Sequence, residues 1–237
     1  MLYLLDLCKS EYQSIRNLGI TNRIEIIPNS VEIPNKFLLP NKSSKEYKWF
    51  NDNISKEFPY MLFLGRLNKK KGINELIEAW SKMQAKKSYD VYLIIAGFGD
   101  LDKFNKLIIN KNIKKVKILG PCFGVFKEIL LSNSSGFILP SFSEGLPMSA
   151  LESLSWGIPT YITKECNLED FLSNECAFEI KNNIEFLQYI LEDWAKKVLI
   201  NSEVLKNTGE RGRELIRKNY SRKFVGNKLK KLYNSVA

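Results

Sequence analysis

The chain contains no histidine. That absence removes the most common general base and every serine–histidine or cysteine–histidine nucleophile pair. Any catalysis by this chain alone therefore rests on carboxylates, lysines and arginines. Cysteine is sparse: Cys8, Cys122, Cys166 and Cys176 show no Cys-x-x-Cys spacing, so no zinc-ligand cluster is expected. No apolar run approaches the roughly 20 residues of a membrane span, and there is no internal repeat or low-complexity segment. The opening Met1–Cys8 is apolar but carries Asp6 and lacks a basic leader, which is not a signal-peptide pattern. A cytoplasmic location is the expectation.

What is present is an ordinary globular balance. Of 237 residues, 44% are hydrophobic and 26% charged, which suits one domain with a buried core. The formal net charge of +10 invites a polyanion partner. The lysines are scattered, however, apart from Lys69-Lys70-Lys71, and no helix-turn-helix or single-strand-binding motif accompanies them. Nucleic acid is not an expected partner. Phosphorylated small molecules or anionic lipid account for the charge equally well.

Taken in order, Leu2–Leu7 reads as a strand, Lys9–Leu18 as a helix, and Arg23–Val31 as a strand running into a turn. Residues 35–58 are polar and lysine-rich without a clear period, and read as a surface excursion with one short helix. From there, apolar runs at Met61–Leu64, Val91–Ala96, Val116–Leu119, Gly136–Leu139, Thr160–Thr163 and Ala177–Ile180 alternate with helical stretches. The clearest helix carries Ile73, Leu76, Ile77 and Trp80 at i, i+3, i+4 and i+7. This alternation predicts an α/β fold: a single Rossmann-like parallel sheet with helices on both faces. Residues 201–237 read as two helices broken near Tyr220-Ser221.

The chain is organised around Gly136–Pro159. Gly136–Leu139 lacks alternation, as a strand covered on both faces does. Ser143-Glu144-Gly145 form a turn, and Pro147 suits the first position of a helix. Met148, Leu151 and Leu154 recur at helical spacing until Gly157 and Pro159. A helix N-terminus thus opens at the carboxyl end of a strand, where open α/β sheets bind ligands and free N–H groups favour anions. Glu144 and Glu152 frame it; on local pattern they read equally well as a helix cap and a solvated helical residue.

A second strand end, Phe63-Leu64-Gly65-Arg66-Leu67-Asn68-Lys69-Lys70-Lys71-Gly72, also leads into a helix. Arg66 offers a planar fork that matches phosphate, and Lys71 a compact charge; the plainer reading is a solvated lysine run. Gly97-Phe98-Gly99 lacks the third glycine of a dinucleotide fingerprint and reads as a tight turn. Ile118-Leu119-Gly120-Pro121 is a strand end and turn.

Ser143-Glu144-Gly145-Leu146-Pro147-Met148-Ser149-Ala150-Leu151-Glu152, followed by Trp156-Gly157-Ile158-Pro159-Thr160, resembles the signature of family 4 of the retaining glycosyltransferases, which have the GT-B fold. Gly65-Arg66-Leu67 with Lys71-Gly72 resembles the same family, so two motifs stand in family order on successive strand ends. The resemblance runs from about Ile24 to Tyr233. It implies that Arg66 and Lys71 contact the diphosphate of a nucleotide-sugar donor. Glu144 would hold hydroxyls of the donor sugar, and Glu152 the ribose hydroxyls. Gly145, Leu146 and Pro147 would present loop backbone to the sugar and phosphates. Gly65 and Gly97 would line the donor, with Ile118, Leu119 and Gly120 beside its base. Arg66, Lys71 and Glu144 are the catalytic candidates, and no metal or resident cofactor is implied. Gly120-Pro121-Cys122-Phe123-Gly124 and Cys166-Asn167-Leu168 resemble one subgroup, which has Pro-Glu where this chain has Glu169-Asp170.

The resemblance also sets the expected organisation. Residues 1–34 would be a remnant of an N-terminal acceptor-binding half and its linker, residues 35–219 the nucleotide-sugar-binding domain, and residues 220–237 a crossover helix. Without the other half, Phe224, Val225, Leu229 and Leu232 are expected to lack part of their cover, which leaves an exposed apolar patch. The implied reaction is sugar transfer to an acceptor hydroxyl with retention, in surface polysaccharide or glycoconjugate synthesis. Implied partners are the donor, a separate chain carrying the N-terminal half or a second copy of this chain, and a membrane touched peripherally from its inner face. The chain alone is expected to bind donor and to transfer sugar slowly or not at all. A non-catalytic nucleotide-sugar-binding half-protein would use the same pocket and stays open, as does, more distantly, a basic adaptor without sugar chemistry.

Overall fold

The computed structural model describes residues 3–35, 41, 43–54 and 58–236. Residues 36–40, 42 and 55–57 of the expected 35–58 excursion lie outside that description, as do Leu2 and Ala237. The chain runs β1 (Tyr3–Asp6), α1 (Lys9–Asn17), β2 (Arg23–Ile26), α2 (Lys45–Asn53), β3 (Tyr60–Leu64), α3 (Ile73–Lys86), β4 (Tyr92–Ala96), α4 (Leu101–Asn110), β5 (Val116–Leu119) and α5 (Gly124–Asn133). It continues through β6 (Gly136–Leu139), α6 (Met148–Ser155), β7 (Thr160–Ile162), α7 (Glu169–Ser173), β8 (Phe178–Glu179), α8 (Ile184–Leu199), α9 (Glu203–Asn219) and α10 (Arg222–Val236).

The main sheet has six strands in the order β5-β4-β3-β6-β7-β8, every neighbour parallel. All six correspond to the apolar runs of the sequence. β3, β6 and β7 are buried at every residue, which requires cover on both faces. The order reverses between β3 and β6. Because crossovers are right-handed, the helices after β3 and β6 then lie on opposite faces. This is the doubly wound arrangement, with its ligand crevice at the point of reversal.

The cover follows from sequence period. α3 turns Ile73, Leu76, Ile77, Ala79, Trp80 and Met83 into the core, where it packs against α8 with Leu187, Leu191, Trp194 and Ala195. The two indoles satisfy their only donors on backbone: Trp80 on Lys114 O at 3.1 Å and Trp194 on Ser135 O at 3.2 Å. Burying such a side chain contributes on the order of 2–3 kcal/mol. Residues 43–54 depart from the expected surface excursion. α2 packs on α5 and buries Tyr47 and Phe50, with Ile54 beyond it, because these apolar residues share one helical face.

β1 and β2 form a separate two-stranded parallel sheet, and α1, which joins them, has no buried residue. Val31 bridges Ser221 and its N–H donates to Tyr220 O at 2.8 Å, at the break between α9 and α10. On α10, Val225 is buried, whereas Phe224, Leu229 and Leu232 are half-buried. Phe224 lines a cleft with Leu7, Ile26 and Pro28, and Leu232 one with Ile26 and Ile27. Among the described residues, no helix is long and apolar enough to cross a membrane.

Candidate functional site

The exits of β3 and β6 meet at the reversal of the sheet. On the β3 side, three strand ends are laced together: Gly65 N–H donates to Ala96 O at 3.0 Å, Leu67 N–H to Phe98 O at 2.6 Å, and Gly97 N–H to Gly120 O at 3.3 Å. Gly97 sits at φ +149°, and a Cβ there would collide with the Gly65 carbonyl. Gly65, Gly97 and Gly120 therefore form one continuous rim. Ile118 and Leu119 belong to β5 itself, with Leu119 buried and Ile118 half-buried, so their side chains serve the core.

The β6 exit is clamped against the β3 exit. Gly72, at φ +69°, would with a Cβ run into Pro140 O, which also accepts from the Asn182 amide. Phe142 N–H donates to Lys70 O at 2.8 Å. Across this junction Lys71 Nζ meets Glu144 Oε1 at 2.5 Å, and Ser141 Oγ donates to the same oxygen at 2.5 Å. The Lys71 and Glu144 side chains are only 14% and 10% exposed. Lys71 is thus neither part of a solvated run nor a free cation, and Glu144 does not cap α6. No side chain caps that helix, and Pro147 is its N-cap rather than its first residue. No side chain therefore accepts from the first N–H groups of α6.

Arg66, in contrast, is exposed, and among the described residues no hydrogen bond or ion pair engages its guanidinium. The next loop residues contribute backbone only: the Leu146 side chain is buried, as is Pro147, and Gly145 faces Glu11, whose Oε1 lies 2.9 Å from where a Cβ would stand.

Glu152 lies one turn into α6, with Oε1 held by Lys127 Nζ of α5 at 2.6 Å. The two glutamates open into different spaces. Glu144 lines a cleft of about 610 Å³ shared with Asp6, Ser10 and Glu11. Glu152 and Lys127 line one of about 410 Å³ bounded by residues 30–35. The N-terminal end of α6 separates them.

Three residues escaped the sequence reading. Asn167, at φ +55°, donates its amide to Glu144 O at 2.7 Å and Gly145 O at 2.9 Å, which fixes the loop. It stands in the quoted Cys166-Asn167-Leu168 run, and its left-handed turn is the signal that could have found it. Lys127 and Ser141 have no local pattern that marks them; only the approach of distant elements gives them roles. Cys166 lies beneath the loop, and burial pushes its thiol up to about 12, opposed by a hydrogen bond from Thr163 and reinforced by the Glu144 charge.

A family model described as "Glycosyl transferases group 1" matches residues 44–215. The capsular polysaccharide biosynthesis glycosyltransferase CapM of Staphylococcus aureus is 27% identical over 233 residues, covering 92% of this chain and 57% of CapM. The N,N'-diacetylbacillosaminyl-diphospho-undecaprenol alpha-1,3-N-acetylgalactosaminyltransferase of Campylobacter jejuni is 30% identical over 152 residues, 63% of this chain and 39% of that protein. Among solved structures, a glycosyltransferase from Rickettsia africae superposes with a TM-score of 0.83 at 20% identity, over 98% of this chain and 62% of that one. Anabaena Alr3699/HepE, in complex with UDP-glucose, gives 0.78 at 15%, over 98% and 63%. These likenesses establish the fold as that of GT-B glycosyltransferases, and the chain spans little more than half the length of the longest-matched curated relatives. With the model matched through the Lys71–Glu144 crevice and both flanking motifs, the chain belongs to the group 1 glycosyl transferases.

Proposed function

We propose that the chain is the donor-binding part of a retaining, family 4 type glycosyltransferase, which moves a sugar from a nucleotide diphosphate to an acceptor hydroxyl. The observation that carries this reading is the charge arrangement at the sheet reversal. An unengaged Arg66 fork and the paired Lys71 ammonium follow β3, and the uncapped N-terminus of α6 follows β6, the strand beside it. Such a site suits a diphosphate, whose oxygens gain charge as the glycosidic bond breaks.

In this reading the acceptor oxygen bonds to the anomeric carbon while the bond to the departing phosphate oxygen breaks, and the acceptor proton goes to that phosphate. Arg66 takes the developing charge bidentately, and Lys71 shares its protons between phosphate and Glu144. Glu144 keeps its second oxygen for sugar hydroxyls, and Glu152 receives the ribose. The donor is a substrate, and no resident cofactor or metal is invoked. Acceptor recognition falls to sequence outside this chain or to a partner chain, so this chain alone binds donor and turns over slowly. The setting is surface polysaccharide assembly, at the cytoplasmic face of a membrane touched peripherally.

The test is calorimetric titration of the full chain with UDP, GDP and ADP and their glucose conjugates. Binding of one base as its diphosphate supports the reading. No binding by any of them overturns it.

A further inference from the structure

The Lys127–Glu152 couple goes beyond any role assigned to Glu152 alone. Lys127 is the fourth residue of α5 and Glu152 the fifth of α6, so two helices that follow different strands deliver opposite charges to one wall. Their side chains are 27% and 23% exposed, and Nζ meets Oε1 at 2.6 Å. Side chains of a helix lean toward its N-terminus, so Glu152 leans toward the crevice end of α6. Three other charged groups line this cleft. Arg222 pairs with Glu32 at 3.0 Å across the opening, and Glu128 shares the lining. Met148, Trp156 and Leu131 supply apolar surface between them.

A pair so placed presents both halves of a hydrogen-bonding match. The lysine spends one of its three protons on Oε1 and keeps two to donate, while Glu152 keeps Oε2 to accept. A hydroxyl is the group that both accepts and donates, and two vicinal hydroxyls satisfy both partners at once. A lone carboxylate would only accept. Given the donor reading above, on which this inference rests, the vicinal diol that the nucleotide itself carries is that of the ribose.

We propose that Lys127 is a positioning residue that fixes the Glu152 carboxylate by one oxygen and, with it, selects nucleotides carrying an intact ribose diol. The plainer role, a staple between α5 and α6, makes a different prediction, because a staple affects all ligands alike.

The experiment measures dissociation constants of the full chain for UDP, GDP and ADP and for their 2′-deoxy counterparts, on the unsubstituted protein and on Lys127→Met. The best-binding ribonucleotide should exceed its deoxy counterpart on the order of tenfold, since a charged group would be left without its partner. Lys127→Met should bring that ratio within about threefold, chiefly by weakening the ribonucleotide, and Lys127→Arg should restore it, because the guanidinium can both pair and donate. Ligand-free melting of each variant checks the fold. A ratio unchanged by Lys127→Met, with or without a lower melting temperature, leaves only the staple and overturns the inference. Nucleotides that bind with no ribose preference also overturn it while leaving the donor reading intact. No binding at all removes the donor reading, and this inference with it.

Discussion

Lys71 and Glu144 are 73 residues apart in sequence and 2.5 Å apart in space. They join the exits of β3 and β6, the two strands between which the sheet reverses its order. The pair therefore ties together the crevice that the topology opens, and it holds one oxygen of Glu144 while leaving the other for a ligand. Its stability effect should be asymmetric. Lys71→Met strands a carboxylate that is only 10% exposed, and should cost about 1–3 kcal/mol. Glu144→Gln keeps a carbonyl oxygen for Ser141 and Lys71 and should cost less. Urea midpoints at constant m separate the two; equal losses would contradict the arrangement.

Gly72 tests the close approach of the two strand exits. Gly72→Ala meets both an unfavourable φ of +69° and the Pro140 carbonyl, whereas Gly19→Ala meets a similar φ of +78° with nothing within 4 Å. The left-handed backbone alone costs about 1–2 kcal/mol. Gly19→Ala should show that loss, and Gly72→Ala a clearly larger one by chemical denaturation. Similar values would mean that the exits are not pressed together.

Asn167 tests how the Glu144–Gly145 loop is held. Asn167→Gly keeps the left-handed turn but loses both amide hydrogen bonds, at about 0.5–1.5 kcal/mol each. Asn167→Ala loses the bonds and strains the turn as well. Both variants should weaken nucleotide binding, with Asn167→Ala also the less stable; nucleotide affinity unchanged in both would show that the loop needs no such tether.

Burial raises the thiols of Cys122, to about 11, and Cys166, to about 12, from an ordinary value of 9.0. Below about pH 9 both states hold the thiol proton and the full stability is present. Between about pH 9 and 12 the unfolded chain loses protons that the folded chain keeps, so stability falls as pH rises. Tyr161 and Tyr220 are raised by burial too and add to the fall at higher pH. The urea midpoint should drop between pH 8 and pH 10.5, and by less in Cys166→Ala. An unchanged drop would contradict the assignment to Cys166.

Much of this architecture was legible because buried parallel strands write continuous apolar runs. Met61–Leu64 and Gly136–Leu139 fall on β3 and β6, and the α9–α10 break falls at Tyr220-Ser221. What was not legible depends on contacts between distant segments. Tyr47 and Phe50 sit in a lysine-rich stretch whose short period hides one apolar face. Phe224 shares a cleft with Leu7, Ile26 and Pro28, some 200 positions earlier. In the site, the motifs located Arg66, Lys71 and Glu144 at strand exits and Glu152 on the helix that follows, but the pairing of Lys71 with Glu144 and of Lys127 with Glu152 is a product of the fold. Local pattern left a capping Glu144 open; its bonds to Ser141 and Lys71 exclude the cap.

The most direct test of the central claim, a diphosphate site at the sheet reversal, is titration of the unsubstituted chain and Arg66→Ala with a nucleotide diphosphate and its parent nucleoside. Arg66 is exposed and engages no described residue, so its removal should leave the ligand-free melting temperature unchanged. The account expects diphosphate affinity to fall at least about tenfold, as for loss of a charge-assisted bidentate contact, while nucleoside affinity stays the same. Equal diphosphate affinity in the two proteins, or none in either, would contradict it.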